Sequence, residues 1–169
     1  MIEITLPDGS VRSYDNNITV IDVAKDISEG FARNVISAKF NDKTIETSTT
    51  LITNGNLVLY TWRDTEGKQA FWHSSAHILA QALEELYPGV KLSIGPAIEN
   101  GFYYDIDLGD RSISDKDFKT IEDKMLEIAR GKHEFKMKSV SKADALSFYK
   151  EQGNEYKVEL IENLQDGDI

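Results

Sequence analysis

The sequence contains no cysteine at all, only three prolines and only three histidines among 169 residues. Without thiols it forms no disulfide and offers no thiolate to a metal or to nucleophilic catalysis. No apolar run approaches the roughly 18 residues needed to span a bilayer. The opening "MIEITL" is strand-like and shows neither the basic leader nor the apolar segment of a secretory signal, so a cytoplasmic setting is expected. Positive charge is also scarce. The formal net charge is -10, with 5 basic and 8 acidic residues through Trp62 and 14 basic and 21 acidic after it. Neither part has the net basic balance of a generic nucleic-acid binder. Only Arg130 to Lys142, "RGKHEFKMKSVSK", is locally basic. A solvated segment accounts for it as well as phosphate contact does, and Lys136 and Lys138 are the side chains to test there.

Apolar residues make up 40% of the chain, an ordinary globular share, and the length suits one domain or two small ones. "IEITL" and "VRSY" flank the turn-forming Pro7, Asp8 and Gly9, which predicts a β-hairpin. "TVIDVAKDISEGFARN" has Val20, Val23, Ala24 and Ile27 at helical spacing, with Gly30 as a stop. "VISAKFND", "KTIET" and "NLVLYT" read as three more strands. The order ββαβββ predicts a β-grasp-like unit over residues 1–62. "RDTEGKQA", 63–70, is polar, contains a glycine and reads as a linker into a second α+β domain over 63–169.

In that second domain "FWHSSAHILAQALEELYPG" is a helix with Ala76, Leu79, Ala80, Leu83, Leu86 and Tyr87 on one stripe. "VKLSIGPAIENGFYYDIDL" reads as strands broken at "IGP" and "ENG". A helix over 115–130 is capped by Ser114, buries Phe118, Ile121, Met125, Ile128 and Ala129, and stops at Gly131. "HEFKMKSV" is a strand, "KADALSFYKEQG" a helix between Ser141 and Gly153, and "EYKVELIEN" begins as a strand.

His73 and His77 are four residues apart, so they project from one helical face along the edge of its apolar stripe. That spacing is half of a zinc site, but "HSSAH" lacks the glutamate of a metalloprotease helix, His133 is far away in sequence and no cysteine is available. Ser74 and Ser75 share the helix and do not form a nucleophile elbow. Phosphate-loop and dinucleotide glycine patterns are missing. What remains is an imidazole pair that either orients a ligand or water, or donates to the backbone as structure. Near it in sequence, Gly95 and Gly101 permit close backbone approach, while Phe102, Tyr103 and Tyr104 beside Asp105 and Asp107 combine stacking surfaces with acceptors.

With "HSSAHILAQALEELYP", "IGPAIENGFYYDIDL" and "EYKVELIEN" in this order behind a β-grasp-like unit, the chain resembles the N-terminal region of bacterial-type threonyl-tRNA synthetases over essentially all 169 residues. "HSSAH" alone is less specific, because alanyl-tRNA synthetases and free-standing editing proteins share a His-x-x-x-His element. The resemblance implies a TGS domain at 1–62 and an α+β editing domain at 63–169, truncated at its C-terminal end. It implies hydrolysis of mischarged seryl-tRNA(Thr), with His73, His77 and Lys157 in the editing site and Tyr104 and Asp105 on its wall. A Cys-x-x-x-His element that completes the family's pocket is expected beyond Ile169. No metal or cofactor is expected within these residues, since the family's ATP, magnesium and zinc belong to an aminoacylation core outside them. The implied partner is tRNA(Thr), without a membrane. The intact enzyme is expected to dimerise through that core, and these residues alone to be monomeric. Two other readings stay open: a free-standing trans-editing deacylase, and a TGS-containing module that binds RNA or ribosomes without hydrolysis.

Overall fold

The structure is a computed structural model and describes residues 1–133, 135 and 138–165. The chain divides into two compact units, Met1–Trp72 and His73–Ile169.

The first unit opens with strands β1 (Ile2–Thr5) and β2 (Val11–Tyr14), antiparallel with Ile2 opposite Tyr14 and Thr5 opposite Val11. Short β3 (Ile18–Thr19) leads into helix α1 (Val20–Ile27), where Thr19 Oγ1 accepts the Asp22 amide at 3.3 Å and caps the first turn. The helix does not run through to Gly30 as the sequence suggested. Ser28 is extended, ends α1, and caps a separate turn α2 (Glu29–Ala32) by accepting the Phe31 amide at 3.4 Å. Gly30 lies inside that turn, so the serine and not the glycine provides the punctuation.

Strands β4 (Val35–Phe40), β5 (Lys43–Ile45), β6 (Thr50–Leu51) and β7 (Gly55–Thr61) complete the unit. The five-stranded sheet has the order β2-β1-β7-β4-β5, with β1 parallel to β7 and the other neighbours antiparallel. β3 and β6, too short to declare themselves by alternation, pair separately. α1 turns Val20 and Val23 onto the core formed by Ile2, Ile4, Leu6, Ala38, Leu51 and Leu57. This is the mixed helix-and-sheet unit expected of a β-grasp.

Residues 63–70 are mostly helix, where a linker was expected. Asp64 Oδ2 accepts the Thr61 amide at 2.7 Å and the Thr61 hydroxyl at 3.0 Å, and helix α3 (Thr65–Leu86) starts immediately after it. The glycine in this stretch serves packing: a Cβ at Gly67 would sit 2.0 Å from the Thr61 carbonyl oxygen.

In the second unit, β8 (Lys91–Leu92), β9 (Ala97–Ile98), β10 (Gly101–Phe102) and β11 (Ile106–Asp107) form two short antiparallel pairs, β8 with β11 and β9 with β10. Helix α4 (Asp115–Arg130) follows, and Asp117 accepts both the amide and the hydroxyl of Ser114 at its start. Ile121 and Ile128 are buried as expected, but Phe118 and Ala129 are exposed because each rims an open cavity. Gly131 ends α4 in a right-handed conformation, and the left-handed residue is Lys132 with φ 50°.

The strand expected over 133–140 falls partly outside the described residues; those described are irregular. Helix α5 (Lys142–Glu151) is capped by Ser141 as read from the sequence. The strand expected at "EYKVELIEN" is instead helix α6 (Glu155–Glu162). Gly153, at φ 68°, turns the chain, and Asn154 Oδ1 accepts the Lys157 amide at 3.2 Å, so a cap overrides the apparent alternation. Lys91 pairs with Glu155 at 3.0 Å and the Tyr156 hydroxyl donates to Asp107 at 3.1 Å, fastening α6 to β8 and β11. The unit's core is Ala80, Leu83, Leu92 and Ile121, with Leu79, Leu86, Tyr104, Ile106 and Met125 packed around it.

Candidate functional site

Ala76, Ala80 and Leu83 anchor α3 in the second unit, which leaves His73 and His77 on an accessible face of the helix. Their Nε2 atoms are 3.0 Å apart, with ring centroids at 4.6 Å and planes at 88°. Such a contact is a hydrogen bond only when one Nε2 carries a proton and the other does not. The pair therefore favours one proton between the facing nitrogens and disfavours two cations.

The surroundings push in the same direction. His77 is exposed by area, yet packed neighbours remove part of its hydration, and this is the main reason its pKa falls below the ordinary imidazole value. The positive charges of His73 and Lys157 lower it further. These causes together favour the neutral form of the His77 imidazole.

Lys157 reaches this region from the first turn of α6. It is half-buried, and burial lowers its pKa while Glu84, further along α3, opposes the shift. Tyr104 is also half-buried and its phenol is pushed up by burial first, then by Glu84 and Tyr149. Glu84 therefore lies within electrostatic reach of both Lys157 and Tyr104. The Tyr104 ring rests on the backbone at Gly95, where a Cβ would lie 2.2 Å from Tyr104 Cδ2. Asp105 sits differently: its side chain is exposed, while its amide donates to the Ile94 carbonyl at 2.9 Å and its own carbonyl accepts from Ser93 at 3.0 Å.

Of the residues singled out from sequence, the structure brings His73, His77 and Lys157 into one electrostatic neighbourhood, with Tyr104 linked to it through Glu84. Asp105 is present as a backbone spacer beside Tyr104. Sequence reasoning missed Glu84, although its spacing of seven from His77 puts it on the same helical face. It also missed His133 and Phe135, which line a cavity with His77 and whose distance along the chain gave no signal. Among the described residues no group of three or more His, Cys, Asp or Glu could hold a metal ion. No helix among them is long and apolar enough to cross a membrane. Lys138 is described and lies in an irregular segment, whereas Lys136 lies outside the described residues.

Residues 2–61 match the family model described as the TGS domain. Over all 169 residues the chain is 66% identical to the threonine--tRNA ligase of Flavobacterium johnsoniae, 63% to that of Flavobacterium psychrophilum and 53% to that of Cytophaga hutchinsonii. Each alignment covers 100% of this chain and 26% of the relative, so the chain spans about a quarter of the length of the proteins it matches. The relatives named here carry a ligase description and lend no support to the deacylase or regulatory-module readings. The chain carries a TGS domain and, along its whole length, matches the N-terminal region of the threonine–tRNA ligases.

Proposed function

We propose that this chain is the N-terminal part of a ligase that joins threonine to tRNA(Thr) using ATP, and that His73, His77 and Lys157 hydrolyse the ester of mischarged seryl-tRNA(Thr). The observation that carries the site assignment is the 3.0 Å contact between two imidazoles, with the neutral form of His77 favoured beside a half-buried lysine.

The need for such a site follows from energetics. A pocket built for threonine also accepts serine, and one methyl group supplies only about 1–3 kcal/mol of discrimination, roughly 10- to 200-fold. Synthetases of this class close the gap by hydrolysing the wrong product at a second site.

In the proposed reaction neutral His77 accepts a proton from water as the water oxygen attacks the ester carbonyl carbon. The carbonyl π pair moves onto oxygen, and the Lys157 ammonium stabilises that oxyanion. As the intermediate collapses, the bond to the ribose oxygen breaks and that oxygen takes the proton from the imidazolium. Serine and tRNA with a free terminal hydroxyl leave. His73, bonded to His77, sets which nitrogen of His77 is basic, and Glu84 opposes the loss of charge that burial imposes on Lys157.

The test is hydrolysis of seryl-tRNA(Thr) and threonyl-tRNA(Thr) by the intact ligase and its His77→Ala and His73→Ala variants. Loss of a general base typically costs about 10²–10⁴ in rate. Serine-selective hydrolysis that falls by this amount in His77→Ala supports the reading, and wild-type protein that leaves seryl-tRNA intact refutes it.

A further inference from the structure

The chain contains two Asn-Gly steps, Asn54-Gly55 and Asn100-Gly101. An asparagine followed by glycine is open to attack on its own side chain, because no Cβ shields the next amide nitrogen and glycine reaches conformations closed to other residues. The two steps share this local chemistry. Their surroundings differ.

Asn54 is held in place. Its Oδ1 accepts the Glu3 amide at 2.9 Å, and its carbonyl accepts from Asn41 Nδ2 at 3.4 Å. Gly55 opens β7 and pairs with Ile4 of β1, and a Cβ on it would lie 2.5 Å from both Asn41 Nδ2 and Phe40 Cζ. Swinging the Asn54 side chain onto the Gly55 nitrogen requires these contacts to open together.

Asn100 has no such restraint. It is exposed, and among the described residues no hydrogen bond holds its side chain. It shares the tip of the β9–β10 hairpin with Glu99, and that hairpin has only two residue pairs, Ile98 with Gly101 and Ala97 with Phe102. A two-stranded pairing this short is marginal by itself. Among the described residues, positive φ outside glycine occurs at Asn17, Asn41, Asp42 and Lys132, so Glu99 and Asn100 do not form the primed turn whose twist matches paired strands. Gly101 stands at φ 142°, in the region that favours glycine, and a Cβ there would meet nothing within 4 Å. The hairpin therefore opens at little cost, and there is space around the bond that must form.

We propose that Asn100 is a site of spontaneous deamidation, and that Asn54 is protected by its place in the fold. The Gly101 nitrogen attacks Asn100 Cγ: the N–Cγ bond forms, the Cγ–Nδ2 bond breaks, and the amide proton leaves with Nδ2 as ammonia. Water then adds to one carbonyl of the cyclic imide. Opening at Cγ leaves aspartate, whereas opening at the former main-chain carbonyl leaves isoaspartate, in which the chain runs to Gly101 through Cγ. In sum, water is taken up, ammonia is released and a negative charge is added, with no change in oxidation state. The isoaspartyl form also lengthens the main chain by one carbon, in a turn that leads directly to Phe102, Tyr103 and Tyr104.

The test follows the intact, folded ligase at mildly alkaline pH and physiological temperature. Mass spectrometry maps the two Asn-Gly peptides, and an isoaspartyl methyltransferase labels any isoaspartate in them. Asn100 is expected to convert roughly tenfold or more faster than Asn54, the scale of opening two hydrogen bonds before attack. In guanidinium, where neither the turn nor the strand survives, the two sites should react at similar rates. Asn100→Gln should abolish labelling of the turn peptide and leave the Asn54 peptide unchanged. Equal rates in the folded ligase, or an Asn100 that keeps its amide, overturns the proposal. A rate gap that persists in guanidinium overturns it too, since the flanking residues and not the fold would then set the difference.

Discussion

The two units of this chain handle their apolar residues differently. In the first, Ile4, Val20, Val23 and Leu57 are fully enclosed between a helix and a mixed sheet. In the second, Leu83 is the one described residue among the largest fully buried side chains, while Phe118, Leu126, Phe135, Phe148 and Leu164 are each at least 42% exposed. The consequence is chemical as well as mechanical. A closed core leaves little surface for ligands, whereas the second unit's open faces expose imidazoles, a half-buried lysine and an aromatic ring beside a cavity. The first unit thus has the tighter core and the second the proposed site, and that contrast can be tested.

The largest effect should come from the closed core. Leu57→Ala removes a side chain with no exposed surface and should cost about 2–5 kcal/mol, because the surrounding sheet relaxes only partly into the cavity. Leu126→Ala, on the open face of α4 and 50% exposed, should stay within roughly 0.5 kcal/mol of wild type. Urea unfolding of the 169-residue chain checks both. Comparable losses for the two variants would break the comparison.

The next effect probes a local point of tightness within the open unit. Gly95→Ala forces a Cβ to within 2.2 Å of the Tyr104 ring, and since the Tyr104 side chain packs into the second core it cannot swing away freely. A cost of about 1–3 kcal/mol is expected for such overpacking, read as a lowered Tm. Pairing it with Tyr104→Leu should recover part of the loss. A Tm unaffected by Gly95→Ala would mean that Tyr104 is loosely held and is no fixed wall for the site.

How far the sequence spoke for itself also differs between the units. The opening hairpin was legible because Pro7, Asp8 and Gly9 carry turn chemistry, and the helix over 20–27 because its apolar spacing is regular. The histidine pair was legible because helical spacing is arithmetic. Starts and stops set by a distant or ambiguous partner were not. The start of α3 depends on Asp64 binding back to the end of β7, and Gly67 looked like a breaker although it serves a close approach to Thr61. "EYKVELIEN" alternates like a strand, and the Asn154 cap decides otherwise. His133 and Phe135 join His77 only because α4 returns along α3, a tertiary fact that no local pattern encodes.

The smallest expected effect is on pH dependence, and it sharpens the claim that the open unit tunes its groups. His77 titrates below the ordinary imidazole value of about 6.5 because of partial burial, the His73 charge and the Lys157 charge, in that order. A depressed folded pKa means that the unfolded chain binds the proton more readily. The contribution of this group to stability is therefore present above about pH 6.5 and is lost as pH falls through the lower folded value. For the same reason the acid limb of seryl-tRNA hydrolysis should lie below pH 6.5. Lys157→Met removes the third cause and leaves the first two, so the His77 resonance in an NMR titration should move up slightly toward the ordinary value without reaching it. Asp26→Asn, which removes the first unit's ion pair with Arg12, should leave that resonance where it was. A downward move in Lys157→Met would mean that the lysine is not acting on His77 as a positive charge, and the proposed oxyanion role would lose its electrostatic basis.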